Sequence, residues 1–100
     1  MTKRKYLTVT TLTNYLKSKL DRDQHLQDVF ITGEISNFYH HVSGHMYLSL
    51  KDDNTVIPAA FFSGYNQQLK FRPENGMNVY IRGQVTVYPA QGRDQLYIHD

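Results

Sequence analysis

From Val29 onward, apolar residues recur at every second position in five separate segments, and this period constrains the fold more than any other feature of the sequence. A period of two is that of a strand with one face in a core and one in solvent. In the first such segment Val29, Ile31 and Ile35 share one face with Gly33, while Phe30, Thr32, Glu34 and Ser36 share the other. A polar, ring-rich loop is expected from Asn37 to Gly44. The second segment, His45 to Lys51, turns Met46, Leu48 and Leu50 inward and His45, Tyr47, Ser49 and Lys51 outward. Asp52, Asp53 and Asn54 have the chemistry of a tight hairpin turn. The third segment, Thr55 to Phe62, places Ile57, Ala59 and Phe61 inward and Pro58, Ala60 and Phe62 outward. Pro58 donates no ladder hydrogen bond, so this strand is expected at an edge or gap of the sheet.

Ser63 to Phe71 reads as a short helix or turn, and Pro73 to Gly76 as a loop. The fourth strand is long, Met77 to Tyr88, with Val79, Ile81, Val85 and Val87 alternating against Tyr80, Arg82, Gln84 and Thr86. After a loop from Pro89 to Asp94 comes a fifth strand, Gln95 to His99, with Leu96 and Ile98 inward. Ahead of the strands, Thr10 can cap a helix running to about Leu20, on which Leu12, Tyr15, Leu16 and Leu20 form one apolar stripe. Met1 to Tyr6 is a basic start (Lys3, Arg4, Lys5) that reads either as a solvated terminus or as an arm touching phosphates. Residues 1–27 are thus the start, helix and connection, and residues 28–100 the sheet, all within one domain.

Five short strands alternating around one core point to a closed barrel rather than a sandwich. The expected fold class is all-β: a five-stranded OB-fold barrel with an N-terminal helix and a short helical segment between strands three and four. Gly33 and Gly83 fit that reading, because glycine relieves crowding where long strands curl to close a barrel.

Bulk properties exclude some functions. The chain has 100 residues, a net charge of +2 and no cysteine. Disulfides and thiolate metal sites are excluded, and a reducing cytoplasm is the expected compartment. No stretch is long enough to span a membrane. Eight Tyr and five Phe with no Trp exceed what the core needs.

An OB barrel binds chains across the outer face of strands two and three, between the loops joining strands one to two and four to five. Here that face offers His45, Tyr47, Lys51 and Phe62. The first wall carries Phe38, Tyr39, His40 and His41, and the second Tyr88, Gln91 and Arg93. Rings interleaved with cations suit single strands, whose bases stack on aromatics while their phosphates seek Lys and Arg. The same rings could equally be cross-strand pairs covering the sheet. His40, His41 and His45 lack a carboxylate among them, so no metal site is expected. Asp52 and Asp53 read as turn residues. Glu34 and Arg82 lie outward on strands one and four, where a surface ion pair is the common outcome. There is no phosphate loop, nucleophile elbow or His-Glu zinc motif.

Three segments carry a family resemblance. They are YLTVTTLTNYLKSKL at Tyr6 to Leu20, VFITGEISNF followed by SGHMYLSLKDD between Val29 and Asp53, and FRPENGMNVYIRGQVTVY at Phe71 to Tyr88. Together they resemble the N-terminal domain of the exonuclease VII large subunit of bacteria. The resemblance implies an OB-fold that recognises single-stranded DNA, in a large subunit that joins small subunits through regions outside these residues and degrades single strands to oligonucleotides. It also implies that the nuclease centre lies downstream, so no catalytic residue and no cofactor is expected here. Phe38, Tyr39, His45, Tyr47, Lys51, Phe62, Arg82, Tyr88 and Arg93 are the expected DNA contacts. The chain departs from the family pattern at Pro58 and Ser63, where Arg is common, and at Gln91 to Asp94, where an aromatic is common. The rival readings are an OB module for RNA or a protein partner, and a self-sufficient nuclease on the barrel.

Overall fold

Thr8, not Thr10, caps the first helix. In the computed structural model, which describes residues 5–88 and 93–100, α1 spans Val9–Arg22, and the Thr8 hydroxyl accepts the Thr11 N–H at 3.1 Å. With threonine at positions 8, 10, 11 and 13, composition alone does not single out the cap. Lys19 and Arg22 occupy the last turn, where cations complement the exposed carbonyls. The stripe of Leu12, Tyr15 and Leu16 is half exposed, and the helix residue that is buried is Thr13. The helix meets the barrel over the outer side of one long strand, where Thr86 donates to Asp21 Oδ1 at 3.1 Å. No helix among the described residues is long and apolar enough to cross a membrane.

The strands are β1 (Val29–His40), β2 (Met46–Lys51), β3 (Val56–Phe61), β4 (Asn78–Tyr88) and β5 (Arg93–Ile98), with a four-residue α2 (Ser63–Asn66) between β3 and β4. They close in the order β1-β2-β3-β5-β4, with β4 returning to β1. All neighbours are antiparallel except β3 and β5, which pair in parallel over Ala59–Leu96 and Ala60–Tyr97. That short pairing begins just after Pro58, which accords with the expected gap beside a residue that cannot donate.

The alternation predicts the core well. Ile35, Met46, Leu48, Leu50, Ala59, Phe61, Ile81, Leu96 and Ile98 form one buried cluster. Two glycines permit the closure. A Cβ on Gly83 would stand 2.3 Å from the Tyr97 carbonyl oxygen, and one on Gly33 would stand 2.9 Å from Leu50 Cγ. Neither crossing admits a side chain at that spacing.

The first strand departs from expectation. It does not end near Ser36 but runs to His40, and the connection to β2 shrinks to a tight turn in which Gly44 N–H donates to the His41 carbonyl at 2.9 Å. The cause is a bulge. Ser36 pairs with Ser49 and Tyr39 with Tyr47, so Asn37 and Phe38 together oppose Leu48. Asn37 takes the extra turn in the left-handed region (φ 51°), and the Asn75 side chain accepts the Phe38 N–H at 2.9 Å. One inserted residue inverts the parity, so Phe38 packs against the core and Tyr39 faces out.

Candidate nucleic-acid interface

Registration across the barrel lines up a row of outward positions. Tyr39 on β1 opposes Tyr47 on β2, Tyr47 opposes Ala60 on β3, Ala60 lies beside Tyr97 on β5, and Tyr97 opposes Gln84 on β4. Tyr39 is 56% exposed and Tyr47 37%, yet Ala60 between the rings is only 1% exposed. Beside the row, Phe62 touches the His45 ring edge-on at 5.1 Å and Tyr97 at 5.3 Å, and His45 meets Tyr47 at 6.5 Å. Edge-to-face contacts of this kind fix ring planes without covering every ring face.

The short helix α2 holds this cluster from behind. His45 Nδ1 accepts the Ser63 N–H at 3.0 Å, which leaves the ring proton on Nε2. The buried Asn66 amide donates to the Gly44 carbonyl at 2.7 Å and to the Phe61 carbonyl at 3.0 Å. It thereby ties the β1–β2 turn to the end of β3, the two segments that flank His45 and Phe62.

Of the residues expected at the interface, Tyr39, His45, Tyr47 and Phe62 come together. Phe38 stands apart, turned to the core by the bulge. Lys51 lies at the opposite end of β2, 3.4 Å from the Glu34 carboxylate, in a hollow that Asp52 and Asp53 also line. Asp52 Oδ1 accepts the Asn54 and Thr55 N–H groups at 2.9 Å, and these bonds hold its carboxyl below the usual carboxylate range. Arg82 is on the β1–β4 side, paired twice with Asp28 (Nε–Oδ1 2.7 Å, Nη2–Oδ2 2.9 Å). That pairing depresses the Asp28 carboxyl and raises the guanidinium. Glu34 and Arg82 therefore serve separate partners. Tyr88 and Arg93 fall in the β4–β5 register, but their side chains, like Gln91, lie outside the described residues.

The histidines also separate. His41 Nδ1 accepts the Ser43 N–H at 3.0 Å while His45 is held by Ser63, and among the described residues no three His, Asp or Glu side chains are grouped to hold a metal ion.

Two features escape the sequence reading. Tyr97 belongs to the ring cluster, and the inward parity of Leu96 and Ile98 already leaves it outward. Lys70 and Arg72 line a groove with His40 at the end of the barrel. The signal for them is the interleaved Lys70-Phe71-Arg72, cations flanking a ring.

Comparison with known proteins supplies the family. Residues 7–100 match the family described as OB-fold nucleic acid binding domain. The exodeoxyribonuclease 7 large subunit of Oceanobacillus iheyensis is 58% identical over 98% of the chain, which spans 22% of that protein's length. Among solved structures, a replication protein A heterotrimer bound to ssDNA superposes with a TM-score of 0.58 at 14% identity, over 76% of this chain and 56% of that one. The asparaginyl-tRNA synthetase of Pyrococcus horikoshii superposes with a TM-score of 0.60 at 13% identity, over 87% and 21%. These two likenesses are of fold alone. With the barrel order and the match over nearly its whole length in agreement, the chain belongs to the OB-fold nucleic acid binding domain family.

Proposed function

We propose that the chain grips single-stranded DNA on behalf of an exodeoxyribonuclease VII large subunit, and that a nuclease centre outside these 100 residues cuts it. The observation that carries this reading is the outward row of Tyr39, Tyr47 and Tyr97 with His45 and Phe62 beside it. Unpaired bases present the π-faces such rings stack on, whereas duplex bases are already stacked. The identity to an exodeoxyribonuclease 7 large subunit supports DNA as the strand. Lys51 and Arg82 are both ion-paired, and Pro58 and Ser63 stand where the resembling proteins commonly carry Arg, so the grip is led by stacking and only modestly by charge. Binding needs no cofactor. In this reading small subunits join the whole protein through other regions, and the work is done in the cytoplasm.

Titration of labelled oligonucleotides by fluorescence anisotropy tests the reading. Single-stranded DNA is expected to bind more tightly than duplex or RNA of the same sequence, with or without a chelator. Equal affinity for duplex, or a preference for RNA, would reject it in favour of another OB function. Incubation with single strands and magnesium is expected to leave them uncut. Cleavage abolished by a point mutation within this chain would show instead a self-sufficient nuclease.

A further inference from the structure

We propose that the outer face of β1 and β4 holds a second site for an unpaired nucleotide, built by Phe30, Tyr80 and Arg82, onto which a strand leaving the ring row at Tyr97 continues. The inference rests on the reading of that row as a single-strand site. It begins from two rings left largely open to solvent. Phe30 is 77% exposed and Tyr80 90% exposed, both at outward positions of paired strands. The register sets Phe30 opposite Arg82 and Thr32 opposite Tyr80, so the rings are diagonal neighbours. Diagonal positions in an antiparallel pair are about 7–8 Å apart. Aromatic side chains at that separation are within reach of one another, so both rings can meet the same base.

Arg82 shapes the site. Its guanidinium carbon lies 5.4 Å from the centre of the Phe30 ring, and Asp28 fixes its plane through two hydrogen bonds. Two of its five N–H donors are so engaged, which leaves others for a base edge. Asp28 offsets its charge, and Asp100 lines the same hollow of about 540 Å³. The site therefore favours a base over a phosphate. Thr32, Arg82 and Asp100 line the hollow together with Ile31 and Ile81, so polar groups stand beside the rings where the edge of a stacked base would lie.

Continuity with the ring row gives the strand a route. The outward column of β4 reads Tyr80, Arg82, Gln84 and Thr86, and Gln84 is registered with Tyr97. From Gln84 to Tyr80 is about 13 Å along the strand. The other direction is closed, because Thr86 is buried beneath α1 and bonded to Asp21. Along the described part of β4, a strand reaching Gln84 from Tyr97 finds its open side toward Arg82 and Tyr80.

The test is a titration with oligothymidylates of about 5 and about 16 nucleotides, the range one OB fold spans. It uses the wild-type chain and Tyr80→Ala, Phe30→Ala and Tyr47→Ala, each with a thermal melt. Tyr80→Ala and Phe30→Ala are expected to weaken the long oligonucleotide about 5- to 150-fold and to leave the short one unchanged. Their melting temperatures and salt slopes should stay as in wild type, since the rings are exposed and the contact is uncharged. Tyr47→Ala should weaken both lengths. If it does while Tyr80→Ala and Phe30→Ala bind the long strand like wild type, the second site is refuted and the ring row stands. If only the β1–β4 variants lose affinity, the ring row is refuted and the route from Tyr97 fails with it. If those variants change self-association in sedimentation and leave DNA binding intact, the face is a protein contact and the proposal fails.

Discussion

The two ends of β2 share one strand, one parity and one sheet face, yet they present opposite chemistry. At the Met46 end, outward positions carry His45 and Tyr47, and the barrel closure adds Phe62 and Tyr97. At the Lys51 end the neighbours are Glu34, Asp52 and Asp53. The first end offers half-exposed rings and the second a paired cation among carboxylates. The lesson is that the OB face is not a uniform groove. Rings are concentrated at one end and carboxylates at the other, so the proposed path for a strand runs across the barrel toward Tyr97 rather than down β2.

The largest expected effect removes the floor beneath both ends. Leu48 lies under the face in the buried cluster, so Leu48→Ala should cost about 2–5 kcal/mol of stability. Phe38 sharpens the point, because the sequence offers it as a wall ring and the bulge packs it, partly buried, against the core. Phe38→Ala should lower the melting temperature, with unchanged affinity in the fraction that remains folded. An unchanged melt with lost affinity would return Phe38 to the interface.

Next in size is the ring end itself. Tyr47→Ala should weaken single-strand binding by about 1–3 kcal/mol, the usual loss for one stacked base. The barrel should melt normally, because Tyr47 is more than a third exposed. An early melt with normal affinity would make the rings a structural cover for Ala60 and would erase the contrast between the two ends.

How far these ends were legible in sequence depends on the range of the interaction. The alternation of Met46, Leu48 and Leu50, and of Leu96 and Ile98, is local, and it placed the core correctly. Tyr97 was legible by the same parity, but its significance depends on the parallel pairing of β3 with β5, which brings Tyr97 to Phe62 from 35 residues away in the chain. The bulge at Asn37 has no sequence signature strong enough to reverse the parity of Phe38 in advance. The partners of the cations were hidden for a similar reason. Lys51 with Glu34, and Arg82 with Asp28, are fixed by strand register and by the connection after α1, not by spacing.

The acid end also makes a pH prediction. Asp52 is held below its ordinary value of 3.8, chiefly by the Asn54 and Thr55 N–H groups. A carboxylate depressed by folding lends stability above its unfolded value, and that stability is lost as pH falls through the lower folded value. The turn should therefore be unaffected above about pH 4 and weaken only below it. Asp52→Asn keeps the acceptor oxygen and removes the titration, so its acid melting profile should be flatter than wild type below that point. Identical acid profiles for the two proteins would mean the turn does not depend on that charge.

The smallest expected effect is the most discriminating. Lys51 was a natural choice for a phosphate contact, being outward, cationic and on the binding strand. If it met a phosphate, Lys51→Ala would reduce the slope of log K against log salt by about 0.7, the share of one neutralised phosphate on a single strand. The structure argues otherwise. Glu34 lies 3.4 Å from its ammonium, and the hollow around it is lined by two further carboxylates, so a phosphate would have to displace one anion and approach two others. An exposed pair of this kind contributes only about 0–1 kcal/mol to stability, so removing it should leave the barrel folded. Lys51→Ala is expected to bind single-stranded DNA within about twofold of wild type, with the same salt slope, a difference of less than about 0.4 kcal/mol. Glu34→Gln supplies the complement: with the neutralising partner gone, Lys51 becomes available, and affinity should rise slightly as the slope steepens. A clear loss of slope in Lys51→Ala would put a phosphate at the acid end and make the two ends of β2 one continuous groove.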